Sequence, residues 1–303
     1  MTKKIAFIFP GQGAQFVGMG ADLAHDFHQA KEVFQEIDDS LNQNLSRLMF
    51  EGDMQELTKT QNAQPAIMAV SMAVWRVLQT QGCSMPNLVA GHSLGEYSAL
   101  CAAGVLSLSE TAKLLKARGN AMAKACEQEK GGMLALLGGS VDQAQEIAQN
   151  VGCYVANDNA PGQIVLSGTL ARLEKAKELA QKMAIKRAIS LQVAGGFHSP
   201  MMQSAADEMI SVLADMEFVQ PKIPVFFNVT AKEEVDPVHY ADLLTRQITA
   251  PVRWRELILN TNATEFIECG PGSVLAGLVK RIVPDTPAQS IGTSEQIQKF
   301  LNS

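Results

Sequence analysis

The first apolar run of the chain, residues 5–9 (Ile-Ala-Phe-Ile-Phe), shows no polar alternation and stops at Pro10-Gly11-Gln12-Gly13. That pattern predicts a short strand buried on both faces and closed by a glycine-rich turn. Farther on, Ala63, Ala66, Ile67, Val70, Ala73, Val74, Val77 and Leu78 recur at helical spacing and form one apolar stripe. A second short strand is expected over 87–91, around Leu88, Val89 and Ala90. A helix of small residues follows over 95–103, and another over 109–125.

The pattern then changes. After Gly131-Gly132 it predicts a strand at 133–137, a helix at 141–149, strands at 153–156 and 164–167, a helix at 170–183 and a strand at 185–191. The order βαββαβ is that of a small ferredoxin-like unit made of two βαβ halves. Helices at 200–214, 236–248 and 254–260, a strand at 264–267 and a helix at 274–283 return the chain to its larger body. The expected fold class is α/β: a large α/β-hydrolase-like domain with a mostly parallel sheet, from residues 1–129 and 196–303, plus a small ferredoxin-like insert at 130–195. No internal repeat, low-complexity run or long linker interrupts this plan.

Composition narrows the class. In 303 residues, 47% are hydrophobic and 18% charged, which suits a globular protein with a substantial core and excludes disordered or fibrous ones. The longest apolar stretches are strand-sized, so no membrane span is expected. Lys3 and Lys4 precede an apolar run too short for a signal peptide. Five scattered cysteines, with no CxxC pair and an odd total, disfavour a disulfide framework or zinc site and point to a reducing cytoplasm.

A net charge of -6 argues against non-specific nucleic-acid binding, which needs a basic surface. An acidic partner would have to dock on a local basic patch. Lys186-Arg187, Lys280-Arg281 and Lys113 with Lys116 are candidates, although each also reads as an ordinary solvated face.

Gly91-His92-Ser93-Leu94-Gly95 is a GxSxG sequence between a predicted strand and a predicted helix. A serine at such a turn is pushed into the open, and glycines flank it where side chains would clash. The helix N-terminus offers free N–H groups and a positive dipole end to an oxyanion, with the Leu94 amide the natural first donor. The competing reading is a glycine-rich turn with an N-capping serine.

A serine nucleophile needs a base within reach. Of the five histidines, His25 and His28 lie in a polar region, and His239 reads as an exposed helix start. His92, beside the serine on the strand side, should point away from its hydroxyl. His198, in the loop Gly195-Gly196-Phe197-His198-Ser199-Pro200, remains the best candidate by elimination.

Several further segments occur in one order. They are Phe9-Pro10-Gly11-Gln12-Gly13-Ala14-Gln15, Gly91-His92-Ser93-Leu94-Gly95-Glu96, Arg118-Gly119, Asn157 with Asn159, and Pro161-Gly162-Gln163. Phe197-His198-Ser199-Pro200-Met201-Met202, Gln247 ahead of Pro251-Val252-Arg253-Trp254, and Glu268-Cys269-Gly270-Pro271-Gly272 complete the set. On these segments the chain resembles, over nearly its whole length, the malonyl-CoA:acyl carrier protein transacylases and the related acyltransferase domains of fatty-acid and polyketide synthases.

The resemblance implies that Ser93 forms an acyl ester, that His198 is its base and later its acid, and that Gln12 and Leu94 supply oxyanion-hole N–H groups. It implies a Ser–His pair oriented by a carbonyl, with Gln247 beside it. Arg118, which by itself reads as an exposed helix arginine, matches the residue that grips the malonyl carboxylate. Leu94 and Phe197 match the malonyl-type pattern, and Asn157 joins the substrate-binding set. The expected substrate is malonyl-CoA and the expected partner an acyl carrier protein, in a ping-pong reaction with no metal or redox cofactor, by a cytoplasmic monomer. Asp158, Ala160 and Gly195-Gly196 depart from the family pattern. Two rival functions share the GxSxG turn or the fold: a serine hydrolase, and a non-catalytic interaction subunit.

Overall fold

The computed structural model describes residues 3–302. Among these residues, ten strands build two separate sheets. The first contains β1 (Ile5–Phe9), β2 (Leu88–Gly91), β7 (Val225–Phe227), β8 (Lys232–Glu234), β9 (Glu265–Cys269) and β10 (Ala288–Ile291), in the order β10-β9-β1-β2-β7-β8. All its pairings are parallel except that of β8 with β7. The second contains β3 (Gly132–Leu137), β4 (Tyr154–Ala160), β5 (Gln163–Gly168) and β6 (Arg187–Ser190), in the order β4-β5-β3-β6, antiparallel throughout. No helix among the described residues is long and apolar enough to cross a membrane.

The unbroken apolar run of β1 has a direct cause. Phe7 and Phe9, with Val89 of β2, pack into one core beneath the helices Thr60–Thr80 and Leu108–Gln128. Ala6 and Ile8, with Leu88 and Ala90, pack into a second core with Trp254, Leu257 and Leu275 on the opposite face. Parallel strands covered on both sides need apolar residues at every position. In the second sheet, Leu134, Leu136 and Leu166 face helices Val141–Val151 and Leu170–Lys182. Met133, Ala135 and Val165 turn the other way and join the large core.

The apolar stripe expected over 63–78 lies within helix Thr60–Thr80. The expected helix over 109–125 extends to Leu108–Gln128, where Ser107 and Glu110 form a reciprocal capping box. Four elements had no legible pattern: β7, β8, β10 and the last helix, Ser294–Leu301. Nor had the four helices between Ala21 and Thr58, of which His28–Leu41 runs to 14 residues. The helix expected at 236–248 begins as a 3-10 turn, Pro237–His239, and becomes α-helical at Tyr240–Thr249.

Two chain crossings lead into and out of the second sheet and run side by side. A Cβ on Gly131 would lie 3.2 Å from the Gly196 nitrogen. The sheet is also tied to the rest of the molecule through β4, where the Asp158 N–H donates to the Val252 carbonyl (3.0 Å) and the Val252 N–H to that of Ala156 (2.9 Å). Asp158, a departure from the family pattern, accepts from Arg255 Nη2 at 2.8 Å. The departure thus supplies an ion pair across this junction.

Candidate active site

Ser93 stands between the end of β2 and helix Gly95–Ala102 with φ 54, in the left-handed region. A Cβ on Gly91 would lie 1.9 Å from the Gly95 carbonyl carbon, and one on Gly95 would lie 2.2 Å from the Phe9 oxygen. Backbone presses on backbone at both positions, so the glycines of GxSxG are required by contact. The turn aims Ser93 Oγ at His198 Nε2, 2.8 Å away.

His198 is itself at φ 54 on the loop leaving the second sheet. Its Nδ1 donates to the main-chain oxygen of Gln247 at 2.8 Å. A neutral imidazole carries one N–H, so this bond leaves Nε2 as an acceptor for the Ser93 hydroxyl. Burial pushes the ring down to about 3, and the charge of Arg118 pushes in the same direction. The ring is therefore neutral at physiological pH.

Arg118 is 1% exposed, not the surface residue that its local sequence suggests. Gly119 lets its helix press against helix Thr60–Thr80, since a Cβ there would lie 2.5 Å from Gln61 Cα. The guanidinium then reaches Gln64 Oε1 (2.7 Å), Gln247 Oε1 (2.9 Å) and Ser93 Oγ (3.2 Å), and lies 5.7 Å over the Tyr97 ring. All three acceptors are neutral. Burial pushes the nearby Glu96 carboxyl up to about 8, so it too is neutral at pH 7. The site holds a buried cation with no ionised partner among the described residues.

A cavity of about 380 Å³ opens onto this group, lined by Gln12, Ser93, Arg118, Asn157, Phe197 and His198 among others. Residues 6–299 match the family model of the acyl transferase domain. The chain belongs to the acyl transferase domain family. Among its relatives, the malonyl CoA-acyl carrier protein transacylase of Bacillus subtilis (strain 168) is 43% identical over 287 residues, which are 92% of this chain and 90% of the relative. The acyl-carrier-protein-S-malonyltransferase of Bartonella henselae superposes with TM-score 0.94 at 46% identity, covering 99% of this chain and 98% of that one. A malonyl-transacylase solved in complex with a type II PKS acyl-carrier protein gives TM-score 0.95 at 37% identity, covering 99% of each chain.

Within this acyl transferase domain the remaining candidates take distinct places. Gln247 is fully buried and makes three contacts at once: its carbonyl accepts from His198, its Oε1 from Arg118, and its Nε2 donates to the Ser93 oxygen at 3.0 Å. Gln12 lies on the turn after β1, at the cavity wall, and the Leu94 side chain is in the core. Phe197 is 5% exposed, and its carbonyl accepts from Ser167 Oγ at 2.6 Å. Asn157 lies on β4 and lines the cavity.

His92 points away from the Ser93 hydroxyl, as expected: its Nε2 meets Asn159 Oδ1 at 2.9 Å and its ring stands edge-on to Trp254. Gln64, Glu96, Tyr97 and Asn228 were not assigned to the site by sequence. Gln64 carried one usable signal, a polar side chain within the apolar stretch of its helix, where it is fully buried.

The basic candidates separate. Lys116 is committed to Gln43 (2.7 Å) and Asn62 (3.1 Å). Lys186 and Arg281 gather around the β4–β5 turn: a Cβ on Gly138 would touch Lys186, and Arg281 bonds Gln163 and the Pro161 carbonyl. Gln163 also lines the cavity.

Proposed function

We propose that the chain transfers a malonyl group from malonyl-CoA to the phosphopantetheine thiol of an acyl carrier protein, through an ester on Ser93. The observation that carries this reading is the unopposed Arg118 guanidinium 3.2 Å from an Oγ that is itself 2.8 Å from a neutral imidazole. A buried cation among neutral acceptors favours a substrate that brings its own negative charge, and a planar fork binds a carboxylate in two bonds. Acetyl and other uncharged acyl groups leave that charge unanswered.

In the first half-reaction Ser93 Oγ attacks the thioester carbonyl and its proton passes to His198 Nε2. The imidazolium that forms is steadied by Nδ1–H on the Gln247 carbonyl. The backbone N–H groups of Gln12 and Leu94 receive the oxyanion; neither makes a hydrogen bond among the described residues. The C–S bond breaks, the CoA thiolate takes the proton from His198, and CoA leaves. The carrier's thiol then enters, gives its proton to His198 and attacks the ester, and Ser93 recovers its proton. Every step is redox-neutral acyl transfer, so the chemistry calls for no redox cofactor and no metal.

Asn157 and Phe197, both lining the cavity, are read as contacts for the acyl-pantetheine arm. The Lys186 and Arg281 surface beside Gln163 is read as the landing site of an acidic carrier. The large sheet is read as α/β-hydrolase-like, and the order β4-β5-β3-β6 as a ferredoxin-like insert spanning 130–195.

Intact-mass analysis after separate exposure to malonyl-CoA, acetyl-CoA and methylmalonyl-CoA tests the reading. A malonyl adduct on the native chain, absent from Ser93→Ala and discharged onto carrier protein, is expected. An adduct that survives in Ser93→Ala overturns the nucleophile assignment. Release of free malonate under saturating carrier makes the protein a hydrolase.

A further inference from the structure

The left-handed backbone at Ser93 needs an explanation beyond its glycine neighbours. A non-glycine residue in this region is disfavoured by the clash of its Cβ with the backbone, and it persists only where surrounding groups over-determine it. Gly91 and Gly95 make room for the turn but do not hold it. The holding group lies just past the end of another strand, 135 residues away in sequence.

Asn228 directly follows β7 and is fully buried. Its Oδ1 accepts the Ser93 N–H at 2.8 Å, and its Nδ2 donates to the Gly91 carbonyl at 2.7 Å. The two bonds fix the amide's orientation, because only this assignment puts an acceptor on the N–H and a donor on the carbonyl. The side chain therefore bridges the two peptide units on either side of His92. Its own N–H donates to Glu96 Oε2 at 2.6 Å, and that carboxyl, 0% exposed, belongs to the first turn of the helix behind the nucleophile. The result is a closed ring: end of β2, Ser93, first turn of the helix, end of β7.

We infer that Asn228 is a positioning residue for the nucleophile, clamping the turn so that Ser93 Oγ stays aligned with His198 Nε2, with Glu96 anchoring the clamp. The inference rests on the reading of Ser93 as the acylated residue. Asn228 does not itself line the cavity and makes no hydrogen bond to Arg118, so the carboxylate-gripping fork does not depend on it directly. Losing the clamp leaves a buried N–H and a buried carbonyl unpartnered. It also frees the turn to relax toward ordinary φ values. A displacement of about 1 Å at a reacting atom costs on the order of a hundred-fold in rate.

The experiment measures two quantities in parallel. Rapid-quench mass spectrometry gives the rate of Ser93 acylation by malonyl-CoA in the native chain, Asn228→Ala and Asn228→Asp. Calorimetry gives malonyl-CoA affinity in Ser93→Ala with and without Asn228→Ala. Acylation is expected to fall about a hundred-fold in Asn228→Ala, with affinity changed less than two-fold. Asn228→Asp keeps the acceptor for the Ser93 N–H and loses the donor to Gly91, so a fall of about ten-fold is expected there, which serves if the alanine variant does not fold. Acylation within three-fold of native in either folded variant overturns the clamp while leaving Ser93 as nucleophile. An equal loss of affinity and acylation also overturns it, since that is the mark of a general structural defect. A malonyl adduct persisting in Ser93→Ala overturns both readings.

Discussion

A serine enzyme whose base is an ordinary histidine loses activity in mild acid, and the proposed Ser93–His198 pair should not. Burial, with the Arg118 charge second, holds His198 at about 3 instead of the usual 6.5. At about 1.4 kcal/mol per pH unit, protonating the ring in the free enzyme is opposed by about 5 kcal/mol. An imidazole titrating at 6.5 is about 3% in its base form at pH 5, so acylation would drop roughly thirty-fold from its value at pH 8. With the base held near 3, the ring is almost wholly neutral at both pH values. The apparent second-order rate of Ser93 acylation by malonyl-CoA, read by quenched intact mass between pH 5 and 7.5, should therefore be flat on its acid side. That rate reports the free enzyme. The single-turnover rate at saturation reports the loaded enzyme, where a malonyl carboxylate on Arg118 offsets the second cause of the depression. Its acid limb should therefore lie higher than that of the free enzyme. An acid limb centred near 6.5 in the second-order rate would refute the reasoning, because it would mean that the buried ring is solvated before substrate arrives.

Other consequences are as direct. Arg118→Lys keeps the charge and loses the fork, so malonyl-CoA kcat/KM should fall about a hundred-fold while acetyl transfer falls far less; equal losses would deny the carboxylate its place. Above pH 8 the Glu96 carboxyl ionises and partly neutralises Arg118, so KM for malonyl-CoA should rise there, and Glu96→Gln should remove that rise. Reversing charge at both Lys186 and Arg281 should raise the carrier KM several-fold and flatten its salt dependence, leaving acylation by malonyl-CoA unchanged. Gly91→Ala drives a methyl into the Gly95 backbone and should lower stability by about 3 kcal/mol in a urea titration; a neutral result would refute the contact origin of that glycine.

The parts of this molecule that could be read along the chain are those whose cause is local. The apolar run at 5–9, the stripe within Thr60–Thr80 and the glycines around Ser93 each follow from a repeat or a turn that neighbouring residues define. The βαββαβ order of residues 132–190 was legible for the same reason. By contrast, β7 and β10 are three and four residues long, too short to show a period, and they exist as strands because β2 and β9 offer edges to pair with.

The site divides along the same line. Ser93 announces itself by its turn, and His198 by elimination among few histidines. Arg118 could be given its place only through family likeness, because local sequence makes it a surface residue, and only the packing of two helices at Gly119 buries it beside Gln64. Asn228 and Glu96 were silent: an asparagine after a short strand and a glutamate in a helix's first turn have ordinary local explanations. Sequence by itself singled out Ser93 and His198 as the candidate reactive pair and determined where the chain must turn. Tertiary structure alone decided which of them lost their water and gained neutral or charged neighbours, and hence that the imidazole is bare, the guanidinium unopposed and the carboxyl protonated. Desolvation depends on what lies within a few ångströms in space, and for these groups the neighbours come from strands and helices tens to more than a hundred residues apart.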